Sequence, residues 1–246
     1  MSDKPDPITL AVRAGLLSDA ETGAVVPPIH LSSTFAFRSF GEKRAYDYTR
    51  SGNPTRDLLG QALAELEGGA GGVVTATGMA AITLTGYLLP AGARIVAPHD
   101  CYGGTYRLFE AWRKRGELRT DFVDFADEAA VRAALAAPAA LLWIETPSNP
   151  LLRITDIERF TALGHERGAL VAVDNTFLSP LWQRPLDFGA DLVIHSTTKY
   201  LNGHSDVVGG AVIARAKEHH EQLLWWANCL GVTGAPFDSF MTLRGL

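Results

Sequence analysis

From residue 72 to residue 196 the chain alternates short apolar runs with longer amphipathic ones, and this constrains its fold more than any other feature. GVVTAT (72–77), ARIVAPH (93–99), TDFVDF (120–125), AALLWIETP (139–147), ALVAVDN (169–175) and DLVIHS (191–196) read as strands, with VVGGAVIAR (207–215) a further one. Most are apolar at successive positions, not only at every second one, which is the pattern of strands covered on both faces. Helical stretches lie between them: GMAAITLTGYLLP (78–90), about 105–114, DEAAVRAALAA (127–137) and TDIERFTALGHERG (155–168). The last opens on what reads as a capping box, Thr155 with Glu158, and closes on Gly168. An earlier helix starts at Asn53-Pro54, a capping side chain followed by proline at the first helical position. It carries Leu58, Leu59, Ala62, Leu63 and Leu66 on one face and stops at Gly68-Gly69. The whole predicts an α/β domain over 54–246 with a mostly parallel sheet.

Residues 1–53 differ. VVPPIHLSSTFAF and RSFGEKRAYDYTRSGNP show little helical or alternating pattern, and they predict an extended arm that packs on something else, such as a second subunit. The chain of 246 residues is 47% apolar and 20% charged, within the globular range. A net charge of −5 without any Lys/Arg block argues against nucleic acid as a partner. No apolar run approaches the ~18 residues of a membrane span, and the N-terminal residues lack the apolar core of a signal peptide. Cys101 and Cys229 form no CxxC pair, so a cytoplasmic protein without a disulfide framework or cysteine zinc site is expected. His195 and His204 have no third ligand at a credible spacing, and His219-His220 reads as a solvated helix face; no metal is expected.

In a parallel sheet, ligands sit beyond the carboxyl ends of the strands, so the residues there carry the functional argument. DLVIHS runs into Ser196, Thr197, Thr198 and Lys199. ALVAVD ends in Asp174, ALLWIETPSNP brings Asn149 to the same edge, and GVVTAT leads through Thr77 into Gly78 and Met79 at a helix start. Glycine there lets backbone N–H groups approach a phosphate, and the positive end of the helix favours it. Each residue taken singly also has an ordinary use: aspartates cap helices, lysines lie on surfaces, and Ser196 and Thr198 are at home in water. No Walker-type glycine motif is present. An amine, a carboxylate, a phosphate cradle and an aromatic side chain together suit pyridoxal phosphate.

Longer motifs carry a family resemblance. VVPPIHLSSTFAF (25–37), YDYTRSGNPT (46–55), TGMAA (77–81), PHDCYGGTYRLF (98–109), ETPSNPLL (145–152), VDNTFLSP (173–180) and HSTTKYLNGHSDVVGG (195–210) resemble the Cys/Met-metabolism group of pyridoxal-phosphate enzymes. That group contains cystathionine synthases and lyases and homoserine-ester sulfhydrylases, and WWANCLGVTGAPFDSFMTLRGL (225–246) is most similar to its bacterial γ-synthases. The resemblance implies the three-layer large domain of fold type I transferases, as in aspartate aminotransferase. It implies Lys199 as the Schiff-base lysine, Asp174 as the partner of the pyridine nitrogen and Tyr102 as the residue stacked on the ring. Gly78, Met79, Ser196 and Thr198 would hold the phosphate, Tyr48 and Arg50 would reach the phosphate of a neighbouring subunit, and Asn149 would lie near the substrate.

The implied reaction is γ-replacement on an O-acylhomoserine by cysteine, in a homodimer or homotetramer, with a lyase or a sulfhydrylase as the alternative. Ser51 follows Arg50 where close bacterial synthases often carry an arginine, so succinyl and acetyl esters both stay open; Arg107 is the candidate for a distal carboxylate. The family's smaller C-terminal domain, with its carboxylate-binding arginine, is not expected within these residues. Without it, a cofactor-binding or oligomerising module that does not turn over is the competing reading.

Overall fold

The computed structural model describes residues 6–246. Seven strands, β1 (Gly71–Thr75), β2 (Arg94–Pro98), β3 (Arg119–Val123), β4 (Leu141–Glu145), β5 (Leu170–Asp174), β6 (Leu192–His195) and β7 (Gly210–Ala214), form one sheet in the order β1-β7-β6-β5-β4-β2-β3. The pairs from β3 across to β6 are parallel, whereas β7 runs antiparallel to both β1 and β6. The predicted strand at 207–215 is therefore shorter than expected, and it is the one that reverses direction.

Successive strand residues feed opposite layers. Val171, Val173, Val193 and Ile213 join one core with Leu59, Leu63, Val131, Phe160 and Leu163. Those last five come from α2 (Pro54–Glu67), α5 (Glu128–Ala134) and α6 (Ile157–His165). Ala172, Leu192, Ile194 and Val212 join the other core with Ile82, Phe109, Trp112 and Leu223. These four belong to α3 (Gly78–Gly86), α4 (Gly103–Arg115) and α7 (Lys217–Leu230). Apolar residues thus occur at successive strand positions because each face has its own layer of helices.

Helix ends follow side-chain chemistry. Asn53 Oδ1 accepts the N–H groups of Thr55 and Arg56 at the start of α2, and Gly68 ends the helix at φ 79°. At α6 the capping residue is Asp156, which accepts the Arg159 N–H; the Thr155 N–H instead donates to Thr146 Oγ1. The expected Thr155–Glu158 box is thereby replaced, because Thr155 is held back by the end of β4. Helix α3 ends at Gly86, four residues earlier than the apolar run suggests, and α4 starts at Gly103, directly after Tyr102.

Residues 6–53 are mostly irregular but include a short helix, α1 (Pro7–Val12), capped by Asp6 and lying against α2; residues 1–5 of the expected arm lie outside the described residues. The rest is tied to the domain through polar contacts: His30 N–H donates to Thr55 Oγ1 (2.9 Å), Asn53 Nδ2 to the His30 carbonyl (2.8 Å) and Arg56 Nη2 to the Thr49 carbonyl (2.7 Å). Val25, Val26, Leu31 and Phe40 on this segment are exposed.

Helix α2 lies on β1 with backbone against backbone. A Cβ added to Gly60 would come 2.5 Å from the Gly72 carbonyl oxygen, and one added to Gly72 would strike the Gly60 carbonyl in turn. Since neither partner is a side chain that can swing away, Gly60→Ala and Gly72→Ala are each expected to cost about 1–3 kcal/mol of stability. Denaturant unfolding of the two variants checks this, and an unchanged midpoint would show that the contact yields.

Candidate functional site

The carboxyl ends of β1, β4, β5 and β6 and the loop after β2 converge on one cavity of about 840 Å³. Lys199, Asp174, Tyr102 and Asn149 line it, and so do Gly78, Met79, Ser196 and Thr198. Eight of the eleven residues nominated from sequence are thus brought together. The other three lie elsewhere. Arg107 is exposed on α4. Arg50 Nη1 donates to the backbone and side-chain oxygens of Asn228, each at 2.7 Å, and its guanidinium stands 5.3 Å from the centre of the Tyr48 ring.

One end of the cavity is built at the start of α3. Thr77 caps that helix by accepting the Ala80 N–H, and the first hydrogen bond of the helix proper runs from Ala81 to the Thr77 carbonyl. The Gly78 and Met79 N–H groups take no acceptor among the described residues, as expected of a helix start that is open to an anion. A Cβ on Gly78 would lie 2.7 Å from the Cβ of Ser196, so only glycine lets the two segments meet here. Ser196 Oγ is without a partner among the described residues. Thr198 Oγ1, in contrast, donates to the Gly209 carbonyl (3.1 Å) and accepts its N–H (3.0 Å).

Asp174 is buried at the end of β5. Its Oδ1 accepts the Thr176 hydroxyl (2.6 Å) and the Thr176 N–H (3.1 Å), and that hydroxyl oxygen in turn accepts the Ser196 N–H (2.9 Å). Oδ2 has no donor among the described residues, which leaves one oxygen for the N–H of a ring. Across the ladder, Asp174 is the register partner of Glu145 on β4. Glu145 Oε1 accepts the N–H groups of Tyr102 (3.0 Å) and Asn149 (2.8 Å), and Oε2 also lies 2.8 Å from the Tyr102 nitrogen.

Burial pushes Glu145 up to about 8, helped by the charge of Asp174 and opposed by the two N–H donors. Burial also raises Asp174, against the pull of Thr176 and His195. Two neighbouring carboxylates away from water disfavour each other's charge. A protonated pyridine nitrogen donating to the free Asp174 oxygen would offset that penalty, so this donor set fits pyridoxal phosphate. Glu145 and Thr176 were missed from sequence. Glu145 ends an apolar run, as Asp174 does, and that parallel was the available signal.

Residues 8–246 match the family described as Cys/Met metabolism PLP-dependent enzyme. The chain belongs to this family. It is 61% identical to cystathionine gamma-synthase of Escherichia coli over 97% of its own length, and 48% identical to cystathionine beta-lyase of Coxiella burnetii over the same share. It spans 62% of the length of each. A crystal structure of cystathionine gamma synthase from Xanthomonas oryzae, in complex with aminoacrylate and cysteine, superposes with a TM-score of 0.97 at 62% identity. That match covers 98% of this chain and 63% of the other. The fold is accordingly that of fold type I transferases, and the family's cofactor is pyridoxal 5′-phosphate.

The raised carboxylates give the cofactor-free protein a pH dependence of definite sign. The folded state holds the Glu145 proton up to about pH 8, the unfolded chain only to about its ordinary 4.5. This stabilising contribution is complete below pH 4.5 and lost as pH rises to about 8. The melting temperature of cofactor-free protein should therefore fall more steeply between pH 5 and 8 than that of Glu145→Gln, whose amide oxygen still accepts both N–H groups. Parallel curves for the two proteins would contradict this.

Proposed function

We propose that this chain is the cofactor-carrying part of an enzyme that replaces the acyloxy group of an O-acylhomoserine with the thiol of cysteine, giving cystathionine. The observation that carries the reading is the meeting of Lys199, Asp174, Tyr102 and the open start of α3 around one cavity. Similarity to cystathionine gamma-synthases supports the choice of reaction. When bound, pyridoxal phosphate supplies the electron sink that stabilises negative charge developing beside the substrate amine.

The residues of the chain orient and move protons. Lys199 would hold the cofactor in the resting protein, and its Nζ takes the proton from substrate Cα and passes protons between the neighbouring carbons. Asp174 Oδ2 keeps the ring nitrogen protonated, with Oδ1 pinned by Thr176. Tyr102 covers the ring and takes a proton from the incoming amine; Glu145 fixes its backbone. Gly78, Met79 and Ser196 hold the phosphate, and Thr198 shapes the loop around it. Asn149 lies beside the substrate carboxylate. During replacement the Cγ–O bond breaks, the acyl carboxylate leaves and the cysteine sulfur bonds to Cγ as its proton is lost.

Residues 1–53 are an arm that reaches another subunit, so that Tyr48 and Arg50 serve the neighbour's phosphate, and the assembly is a homodimer or homotetramer. Both residues are exposed and neither lines the chain's own cavity, which supports this. Two free cysteines, one of them exposed, agree with a cytoplasmic location.

The test is product identification with the full-length protein. O-succinylhomoserine or O-acetylhomoserine with cysteine should yield cystathionine, and Lys199→Ala should abolish both turnover and the visible absorption of the bound cofactor. Pyruvate or 2-oxobutyrate from cystathionine alone would assign a lyase, and homocysteine from the ester with sulfide a sulfhydrylase. Either result, without cystathionine formation, overturns the γ-synthase reading.

A further inference from the structure

At the rim of the cavity three strand ends alternate in register. Glu145 and Pro147 face the cavity with Thr146 between them, Asp174 and Thr176 with Asn175 between them, and Ile194 and Ser196 with His195 between them. The three intervening residues are each 0–1% exposed and belong to the opposite face of the sheet. One chain of hydrogen bonds joins them there. Gln183 Nε2 donates to the Thr146 carbonyl (3.1 Å) and to Asn175 Oδ1 (2.8 Å). Asn175 Nδ2 donates to the Gln183 carbonyl (2.7 Å) and to Glu67 Oε1 (3.0 Å). His195 Nε2 lies 2.7 Å from that same Glu67 oxygen.

This arrangement is a poor way to gain stability. Glu67 is completely buried at the end of α2, and its second oxygen, like His195 Nδ1, is without a partner among the described residues. A buried carboxylate with one bare oxygen is costly, and apolar side chains of similar size often serve stability as well or better. What the chain of bonds supplies is lateral spacing. The backbone ladder between β4 and β5 ends at Glu145 and Asp174, and that between β5 and β6 ends one bond later, where the Asn175 N–H donates to the Ile194 carbonyl (2.9 Å). Just past those points the strand ends carry the cavity residues, and the side-chain bonds take over from the ladder.

We propose that Glu67, Asn175, Gln183 and His195 act as positioning residues, a clasp on the reverse face of the sheet that fixes the spacing of Glu145, Asp174 and Ser196 around the cofactor. The proposal rests on the cofactor reading above. Gln183 is the point of attack, since it is only half-buried and does not line the cavity. In the full-length protein, Gln183→Leu keeps much of the volume and removes both donated bonds.

This variant should bind pyridoxal phosphate about tenfold more weakly in titrations of cofactor-free protein. It should also shift the pH midpoint of the bound cofactor's visible absorption, while the cofactor-free melting temperature stays within about 4 °C of wild type. Glu67→Gln, which retains an acceptor oxygen for Asn175 and His195, should bind within about twofold of wild type. Should Gln183→Leu fail to fold, Gln183→Glu has the same size without the donor, and the same shifts are expected of it. Unchanged affinity and midpoint in the folded variant, or a fall in melting temperature alone, overturns the clasp. A wild-type protein that binds no pyridoxal phosphate overturns instead the cofactor reading on which the clasp rests.

Discussion

Two carboxylates lie side by side out of water, at the carboxyl ends of adjacent parallel strands, and the design of the site follows from that. Asp174 and Glu145 are register partners, and burial raises both above the ordinary carboxylate range. Such a pair is unfavourable unless something cationic or proton-donating joins it. The chain gives each a different companion. Glu145 is met by backbone N–H groups of Tyr102 and Asn149, which turns it into a bracket for the two loops carrying those side chains. Asp174 is met by Thr176 on one oxygen only, which leaves the other without a donor among the described residues. Two similar acids thereby acquire different duties through their hydrogen-bond partners.

The parallel sheet makes this arrangement possible. Four strands pointing the same way deliver four chain segments to one rim, and the reversal at β7 lets β1 join the sheet in the same direction as β6. That brings the start of α3 beside Ser196, close enough that Gly78 cannot carry a side chain. The anion end and the acidic end of the cavity are thus set apart by sheet geometry, not by any one loop. On the proposed reading, negative charge on a phosphate would meet the free N–H groups and positive charge on a ring would meet Asp174; exchanging the two would leave both unpaired.

Much of this was legible in the chain. Continuous apolar runs ending in Asp174 and in the Ser196–Lys199 segment gave both the sheet and its functional edge, since an apolar strand has no need of such residues unless its end is used. Asn53-Pro54 and Gly68 marked α2 to the residue, because capping is local chemistry. Long-range bonds were hidden. Thr155 looked like a cap but is held by Thr146, and Asp156 takes its place. The reversed direction of β7 leaves no trace in a sequence whose strand is buried on both faces. Glu67 looked like the last residue of an amphipathic helix, and His195 like a histidine without the partners of a metal site. Their pairing across 128 positions is visible only once α2 lies on the sheet.

The two faces of the sheet rim therefore divide the work. The cavity face carries groups whose use requires an open valence: Asp174 Oδ2, the Gly78 and Met79 N–H groups, Ser196 Oγ and the Lys199 amine. Open valences cannot also hold the strands in place. Residues one position further along each strand point the other way, and there almost every donor is spent on a neighbour. Because side chains alternate along a strand, a group free to bind and a group fixed to bind are always adjacent in sequence. That adjacency is how a rim of four- and five-residue strands can be both reactive and rigid: a shift of either residue would carry its neighbour with it.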